Sequence, residues 1–430
     1  MNGPQRISIC GGRLIDPANG IDAHLDLHLA DGQILAIGAP PAGFTPDQVL
    51  DAQSCVVSPG LVDLAVRLRE PGAEHKGTIA SETAAAVAGG ITSLCCFPDT
   101  QPVIDTPAVV ELIRQRSERA GKARVLPVGA LTRNLDGEHL SEMAALRQAG
   151  CLAVSNADQP LKSTLVQRRA LEYASTFDLI CIFQPTDQAL RDHGCVHEGL
   201  VSTRLGLPGI PVAAETLALA RDLALAAQTG ARVHFRGLSS AGGARLLLQG
   251  RLDQARISAD VSAHQLHLTE QDVSGFDSHC HVIPPLRTAA DRDALRQAVA
   301  TGLIDAITSD HQPQDPDAKA NPFPSTAPGI SGLETLLPLT LRLVDEGVMN
   351  LATALERITW GPARVLGLPL GRLDPGGSAD VCVFDPNRTW TLEAGRMRSL
   401  GRNSPFLGQT LKGQVRHTLV GGRLVFTQES

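Results

Sequence analysis

A closed eight-stranded β/α barrel held between two β-rich ends is the fold class that this 430-residue sequence predicts. Three observations lead to it. Between about residues 58 and 370, short β-prone runs ending in polar, Gly or Pro residues alternate with Ala- and Leu-rich helical stretches, the spacing of repeated β–α units. On either side of that stretch the chain instead alternates polar and apolar residues between Gly-containing turns. The content of 41 Gly and 28 Pro, with only 10 Phe, 2 Trp and 1 Tyr, suits a large, turn-rich α/β protein rather than a disordered chain.

The elements follow in order. Residues 7–9 and 13–15 are short apolar runs separated by Gly11-Gly12, and residues 24–29 alternate polar and apolar as one half-buried strand. Asp31-Gly32 offers a hairpin turn before residues 33–37, and the Gly- and Pro-containing run 38–46 is a loop. The far end has the same pattern, since residues 379–384 and 415–420 predict strands and Gly421-Gly422 turns the chain into 423–426. In the middle, residues 78–88 predict a helix, and a strand over 92–97 ends at Pro98-Asp99-Thr100. Helices around 108–120 and 215–228 and strands near 123–128, 231–235 and 304–308 continue the alternation. Barrels of this class carry chemistry at the C-terminal ends of their strands, which directs attention to residues 63–72, 97–101, 155–160, 234–240 and 309–313.

Charge and composition exclude several functions. Lys and Arg total 38 against 45 Asp and Glu, a formal net charge of −7, so there is no basic footprint for nucleic acid. No run approaches about 18 consecutive apolar residues, and the opening MNGPQRISICGG lacks a basic-then-apolar leader. A soluble cytoplasmic protein with no membrane partner is expected. Nine cysteines without a CxxC module predict reduced thiols, with Cys95-Cys96 sitting in a strand.

The segment Pro59-Gly60-Leu61-Val62-Asp63-Leu64-Ala65-Val66-Arg67-Leu68-Arg69-Glu70-Pro71-Gly72 resembles the first active-site loop of dihydroorotases, in the amidohydrolase superfamily. The likeness continues through Gly89-Gly90-Ile91-Thr92, Phe97-Pro98-Asp99-Thr100, Pro284-Pro285-Leu286-Arg287, Ser309-Asp310-His311 and Gly329-Ile330-Ser331-Gly332-Leu333-Glu334-Thr335, and it covers nearly the whole chain. It implies a TIM-like (β/α)8 amidohydrolase barrel over residues 58–370, with a small β-sandwich formed by residues 1–57 and 371–430.

The same resemblance implies that the metal site is degenerate. Family members supply a His-x-His pair to zinc from the first loop, where this chain has Ala65 and Arg67. Ala has no donor atom, and a guanidinium is persistently cationic. Asn156 and Ala157 fall in the region of the paired acidic ligand, Gln184 replaces a His, and Arg236 replaces the second His of another His-x-His pair, leaving His234 as its non-ligand partner. Asp310 matches the family carboxylate that helps to activate water, and is expected to be a relic. No catalytic residue, cofactor or zinc is therefore expected. Arg67 or Arg236 is predicted to set a guanidinium near Asp310, an ion-pair network taking the place of metal charge. A residual anion site is expected around Arg69, altered by Asp99 and Ile283 where the family has Asn.

Two other histidine groups, His264-Gln265-Leu266-His267 and His279-Cys280-His281, are weak metal motifs better read as loop or hydrogen-bonding residues. The role implied by the resemblance is that of the inactive dihydroorotase-like chains found with some bacterial aspartate carbamoyltransferases: a structural subunit in pyrimidine biosynthesis, associated with the catalytic chains and with copies of itself. Two alternatives stand beside it, an active, diverged metal-dependent dihydroorotase or other cyclic-amide hydrolase, and an anion-binding regulatory module centred on Arg69.

Overall fold

The structure, a computed structural model, describes residues 6–253 and 255–428. Eight parallel strands form the barrel. In chain order they are Leu61–Val66, Ile91–Cys96, Arg124–Pro127 continued by Gly129–Ala130, Ala153–Ser155, Ile180–Phe183, Arg232–Phe235, Ile257–Ser262 and Ala306–Thr308. The third strand is interrupted because Pro127 brings no N–H; its first half pairs with the second strand and its second half with the fourth. The ring closes where Val66 bridges His311, with Arg67 N–H donating to His311 O at 2.9 Å and His311 N–H to Ala65 O at 3.0 Å.

Alternation along the strands divides the apolar residues into two clusters. Leu94, Cys96, Val154, Cys181 and Val233 pack outward against the helices. Val62, Leu64, Cys95, Ala153, Ile180, Ile182 and Ala306 fill the interior, joined by Ala363, Val365 and Leu366 from the helix Trp360–Leu366. The outer helices begin where their caps dictate. Thr78 accepts a hydrogen bond from Ser81 N–H at 3.0 Å while the Ser81 hydroxyl accepts one from Thr78 N–H, a capping box that starts Ile79–Ala88. Ser163 and Ser240 cap Thr164–Thr176 and Ala241–Leu252 in the simpler way. No helix among the described residues is long and apolar enough to cross a membrane.

Both chain ends build two facing sheets. One orders the strands Gln33–Ile37, Leu27–Ala30, Ile7–Cys10 and Gln48–Asp51; the other orders Arg423–Thr427, Thr410–Val420, Val381–Thr391, Val56–Pro59, Arg13–Asp16 and Ile21–His24. Ile7, Leu14, Leu29, Val57, Val381 and Leu419 share the core between them. Two sequence expectations change here. The single strand predicted over 24–29 is two, ending at His24 and resuming at Leu27, because the chain passes from one sheet to the other and Asp26 leaves the ladder to accept Gly11 N–H at 3.0 Å. The strand Val56–Pro59 also carries the end sheet two residues past the predicted boundary at 57.

The C-terminal strands are longer than predicted, and their extra length forms an arm. Trp390 pairs with Leu411, and the strand Thr410–Val420 lies against the helix Leu336–Asp345. The arm thus clamps the end sheet onto the barrel flank.

Candidate functional site

Four strand ends meet at the mouth of the barrel. The first strand delivers Arg67, the fifth Gln184, the sixth Arg236 and the eighth Asp310; loops after the second and fourth strands add Asp99 and Asp158. Arg67 donates Nε to Asp99 at 2.6 Å and Nη2 to Asp158 at 2.6 Å, and its Nη1 lies 3.9 Å from Asp310. Arg236 Nη1 lies 3.3 Å from Asp310, while its Nη2 donates to Gln184 Oε1 at 2.8 Å and to Asp158. The Phe97 ring lies beneath both guanidiniums, 5.6 Å from Arg67 and 4.9 Å from Arg236. Both arginine side chains are at most 4% exposed.

Two buried cations thus face three carboxylates, of which Asp310 is buried while Asp99 and Asp158 reach solvent. Burial opposes the charge of Arg67, but Asp158, Asp99 and Asp310 outweigh it and hold the guanidinium's pKa above its usual value. Burial pushes the Asp310 carboxyl up to about 6 against the pull of Arg236 and Arg67, with Asp158 adding to the rise. Burial also pushes Asp158 upward, yet Arg67 and Arg236 prevail and take it down to about 2. The two aspartates differ in access: the Asp158 side chain is 39% exposed, against 5% for Asp310.

Asp158 is the residue that the sequence does not assign to the centre. The family likeness aligns the paired-acid region with Asn156 and Ala157 and leaves no bridging carboxylate. Asn156 instead faces away, accepting from the Thr132 hydroxyl at 2.6 Å and donating to Gln159 O at 3.1 Å. Ala157 takes a left-handed φ of 50°, and that turn brings the next side chain, Asp158, to both guanidiniums. The only sequence signal is a carboxylate one position beyond the aligned pair.

The remaining predicted positions fall as follows. Ala65 is buried in the barrel interior, and its N–H donates to Asp63 at 3.2 Å. His234 bonds Ser258 at 2.8 Å and Asp260 at 2.9 Å inside the barrel. His311 lies on the other side of the eighth strand from Asp310, its Nε2 2.8 Å from Glu82. Asp99, expected to disfavour an anion at Arg69, has its carboxylate paired with Arg67 instead. Ile283 lacks a polar side chain as expected, but its carbonyl accepts Gln184 Nε2 at 3.2 Å and so locks the glutamine amide. Arg69 donates Nε to Pro313 O at 3.1 Å and has no carboxylate within 4.0 Å among the described residues. Burial and the neighbouring Arg67 push its pKa down to about 10. A cavity of about 370 Å³ opens beside the centre, lined by Asp158, Lys162, Gln184, Asp187 and Arg191.

The two other histidine groups do not converge. His264 is buried, its pKa driven down to about 3 by burial, whereas His267 bonds Leu339 O at 2.9 Å. His281 bonds the Thr326 hydroxyl at 2.8 Å and stacks on Phe323, and His279 stays with Asp277. All nine cysteines are free thiols; burial raises Cys96 to about 12 and raises Cys95 further.

The donor chemistry of the mouth does not fit zinc. Zinc takes lone pairs from thiolate, imidazole or carboxylate, and the space between the strand ends is filled by guanidinium groups that have only N–H bonds to offer. Among the described residues, no group of three or more His, Cys, Asp or Glu side chains is placed to hold a metal ion. The two guanidiniums carry the same total charge as one zinc ion. They can hold carboxylates apart and in place, but they provide no site at which water could be polarised by coordination.

Comparison with known proteins gives the lineage. Residues 54–241 match a family described as dihydro-orotase-like, and residues 191–425 match the amidohydrolase family. A dihydroorotase-like protein of Pseudomonas aeruginosa is 53% identical over 418 residues, which is 97% of this chain and 99% of the relative. A dihydroorotase of Syntrophotalea carbinolica is 43% identical over 421 residues, 98% of this chain and 99% of the relative. Among solved structures, the L-hydantoinase (dihydropyrimidinase) of Arthrobacter aurescens superposes with a TM-score of 0.89 over 99% of this chain and 97% of its own, at 23% identity, a likeness of fold. With identity at this level along nearly its full length, the chain belongs to the dihydroorotase family of the amidohydrolase superfamily.

Proposed function

We propose that this chain is a catalytically inactive dihydroorotase homologue that serves as a structural subunit of an aspartate carbamoyltransferase assembly in pyrimidine biosynthesis. The observation that carries the first half is the pair of buried guanidiniums, Arg67 and Arg236, standing among Asp99, Asp158 and Asp310 where the family places its metal. A hydrolytic dihydroorotase needs a metal-activated water near its catalytic carboxylate, and this set of side chains supplies the carboxylate without ligands for the metal. The fold outlives the chemistry because packing and site are separable.

The assembly role rests on the resemblance to inactive dihydroorotase-like partner chains and on the Pseudomonas aeruginosa relative, which is called a dihydroorotase-like protein rather than a dihydroorotase. In this proposal the chain associates with the catalytic chains and with its own copies in the cytoplasm, in keeping with nine free cysteines. Co-expression with aspartate carbamoyltransferase catalytic chains, co-purification and mass measurement of the complex test it, with both activities assayed on separate and mixed chains. A stable complex whose higher-order form is lost without this chain supports the reading; the absence of association overturns it. The Syntrophotalea carbinolica relative, named dihydroorotase and 43% identical, supports the alternative of an active hydrolase. Metal-dependent turnover of dihydroorotate by the isolated chain would favour that alternative. Specific anion binding without turnover or association, lost in R69Q, would favour a regulatory module.

A further inference from the structure

A second cavity lies well away from the mouth, where the C-terminal arm meets the barrel flank. It has a volume of about 360 Å³ and is lined by Gly89, Glu334, Trp390, Arg398, Gly413, Gln414 and Phe426, among others. Its size falls at the lower end of the range for small-molecule sites. Two of the chain's few aromatic residues stand on it. The Trp390 indole is fixed by its Nε1–H, which donates to Gly413 O at 2.9 Å, and Phe426 carries the Arg398 guanidinium 5.3 Å from its ring centre.

Backbone forms part of the remaining wall. A Cβ on Gly89 would meet Leu333 O at 2.3 Å, and one on Gly413, which has a φ of +92°, would meet Leu341 Cδ1 at 2.3 Å. No side chain fits at either place, so the chain packs closely behind the cavity wall at both glycines. Arg398 is exposed and has no carboxylate within 4.0 Å among the described residues, while the nearby Arg396 is shared with Glu393 at 3.0 Å. The acid lining the site, Glu334, is half-buried and committed to the backbone: its oxygens accept Arg398 N–H at 3.1 Å and Ser399 N–H at 3.4 Å. Burial pushes its pKa up to about 7, which weakens its negative charge near neutrality. Gln414, which also lines the cavity, has a buried Oε1 with no donor among the described residues.

We propose that this junction binds a planar aromatic anion, the ring lying against Trp390 and the charge meeting Arg398. Aromatic walls select a flat body, and the guanidinium on Phe426 selects carboxylate or phosphate over a neutral tail. The site involves no residue of the mouth and stands whether or not the chain assembles with a partner.

The chain has two tryptophans, so a W360F background makes Trp390 the sole indole reporter. The full-length protein is titrated with adenosine 5′-monophosphate in one arm and 4-nitrobenzoate in the other, with fluorescence corrected for absorbance. Saturable quenching is expected, about tenfold weaker in R398Q and largely kept in R398K. Quenching by the nucleotide alone identifies phosphate as the preferred charge, and by the benzoate alone, carboxylate. Circular dichroism and an unchanged unfolding midpoint certify each variant's fold. Absence of saturation with both probes, or equal affinity in R398Q, overturns the proposal.

Discussion

Two buried polar assemblies sit on opposite sides of the eighth barrel strand and are supplied by neighbouring residues. Asp310 turns into the mouth, to Arg236 and Arg67; His311 turns to Glu82, which also accepts the Ser399 hydroxyl at 2.6 Å and Leu400 N–H at 3.1 Å. The Glu82 assembly is sealed, with both ion-pair side chains 0% exposed, and its hydrogen bonds from His311, Ser399 and Ser81 overcome burial to hold the Glu82 pKa below its usual value. The mouth is denser in charge and borders a cavity through Asp158. The assembly around Glu82 ties the loop at Ser399 to the barrel, a purely structural task. The mouth ties four strand ends and two loops together by ion pairs and hydrogen bonds, and its charges remain sensitive to pH.

The largest effect separating them should come from Arg236→Met. It leaves Asp158 and Asp310 with Arg67 as their one remaining cation, and breaking a buried pair from one side costs about 3–5 kcal/mol. Urea unfolding at pH 8 should show the loss, reduced at pH 5 where Asp310 takes up a proton. A loss that does not change with pH would mean that the mouth is as inert as the Glu82 assembly.

Next is the pH dependence set by Asp310. Its folded pKa of about 6 lies above the ordinary 3.8, so its contribution to stability is full below pH 4 and is lost as pH rises to 6. Wild type should therefore lose stability relative to Asp310→Asn across that window, by up to about 3 kcal/mol for a shift of this size. Asp158, at about 2, has the opposite sign: its contribution is present above pH 4 and is lost as pH falls toward 2. Unfolding curves for D310N and D158N from pH 3 to 8 should cross in their effect; parallel curves would contradict the assignment.

Glu82→Ala should cost about 2 kcal/mol by leaving the Ser399 hydroxyl and the Leu400 N–H without their acceptor. That loss should vary less between pH 5 and 8 than the loss in R236M. The smallest effect is expected from Gln184→Ala, about 1 kcal/mol for one uncharged link between Arg236 and Ile283 O. An effect as large as that of R236M would place the amide, rather than the charges, at the centre of the network.

What the sequence disclosed follows the range of the forces involved. The β–α alternation, the end strands and the arginine substitutions are properties of local pattern and could be read directly. The meeting of Arg67 and Arg236 around Asp310 was inferable from the family frame. Asp158 was not, since its place depends on the left-handed turn at Ala157, a backbone conformation that no neighbouring residue type announces. The break at Leu25-Asp26 was hidden for a related reason: a period of two continues across the crossing, although the partner strands change. Asp99 was assigned by its side chain alone, and its true partner came from a different strand end.

Side-chain cations, Arg67 and Arg236, fill the mouth of the barrel. Metal content measured on the purified full-length chain after equilibration with zinc and removal of loosely bound ions, together with dihydroorotate turnover on the same sample, tests it most directly. Substoichiometric metal and no metal-dependent turnover are expected. About one or more equivalents of retained zinc per chain, with turnover that is lost on chelation and restored on adding zinc back, would contradict it.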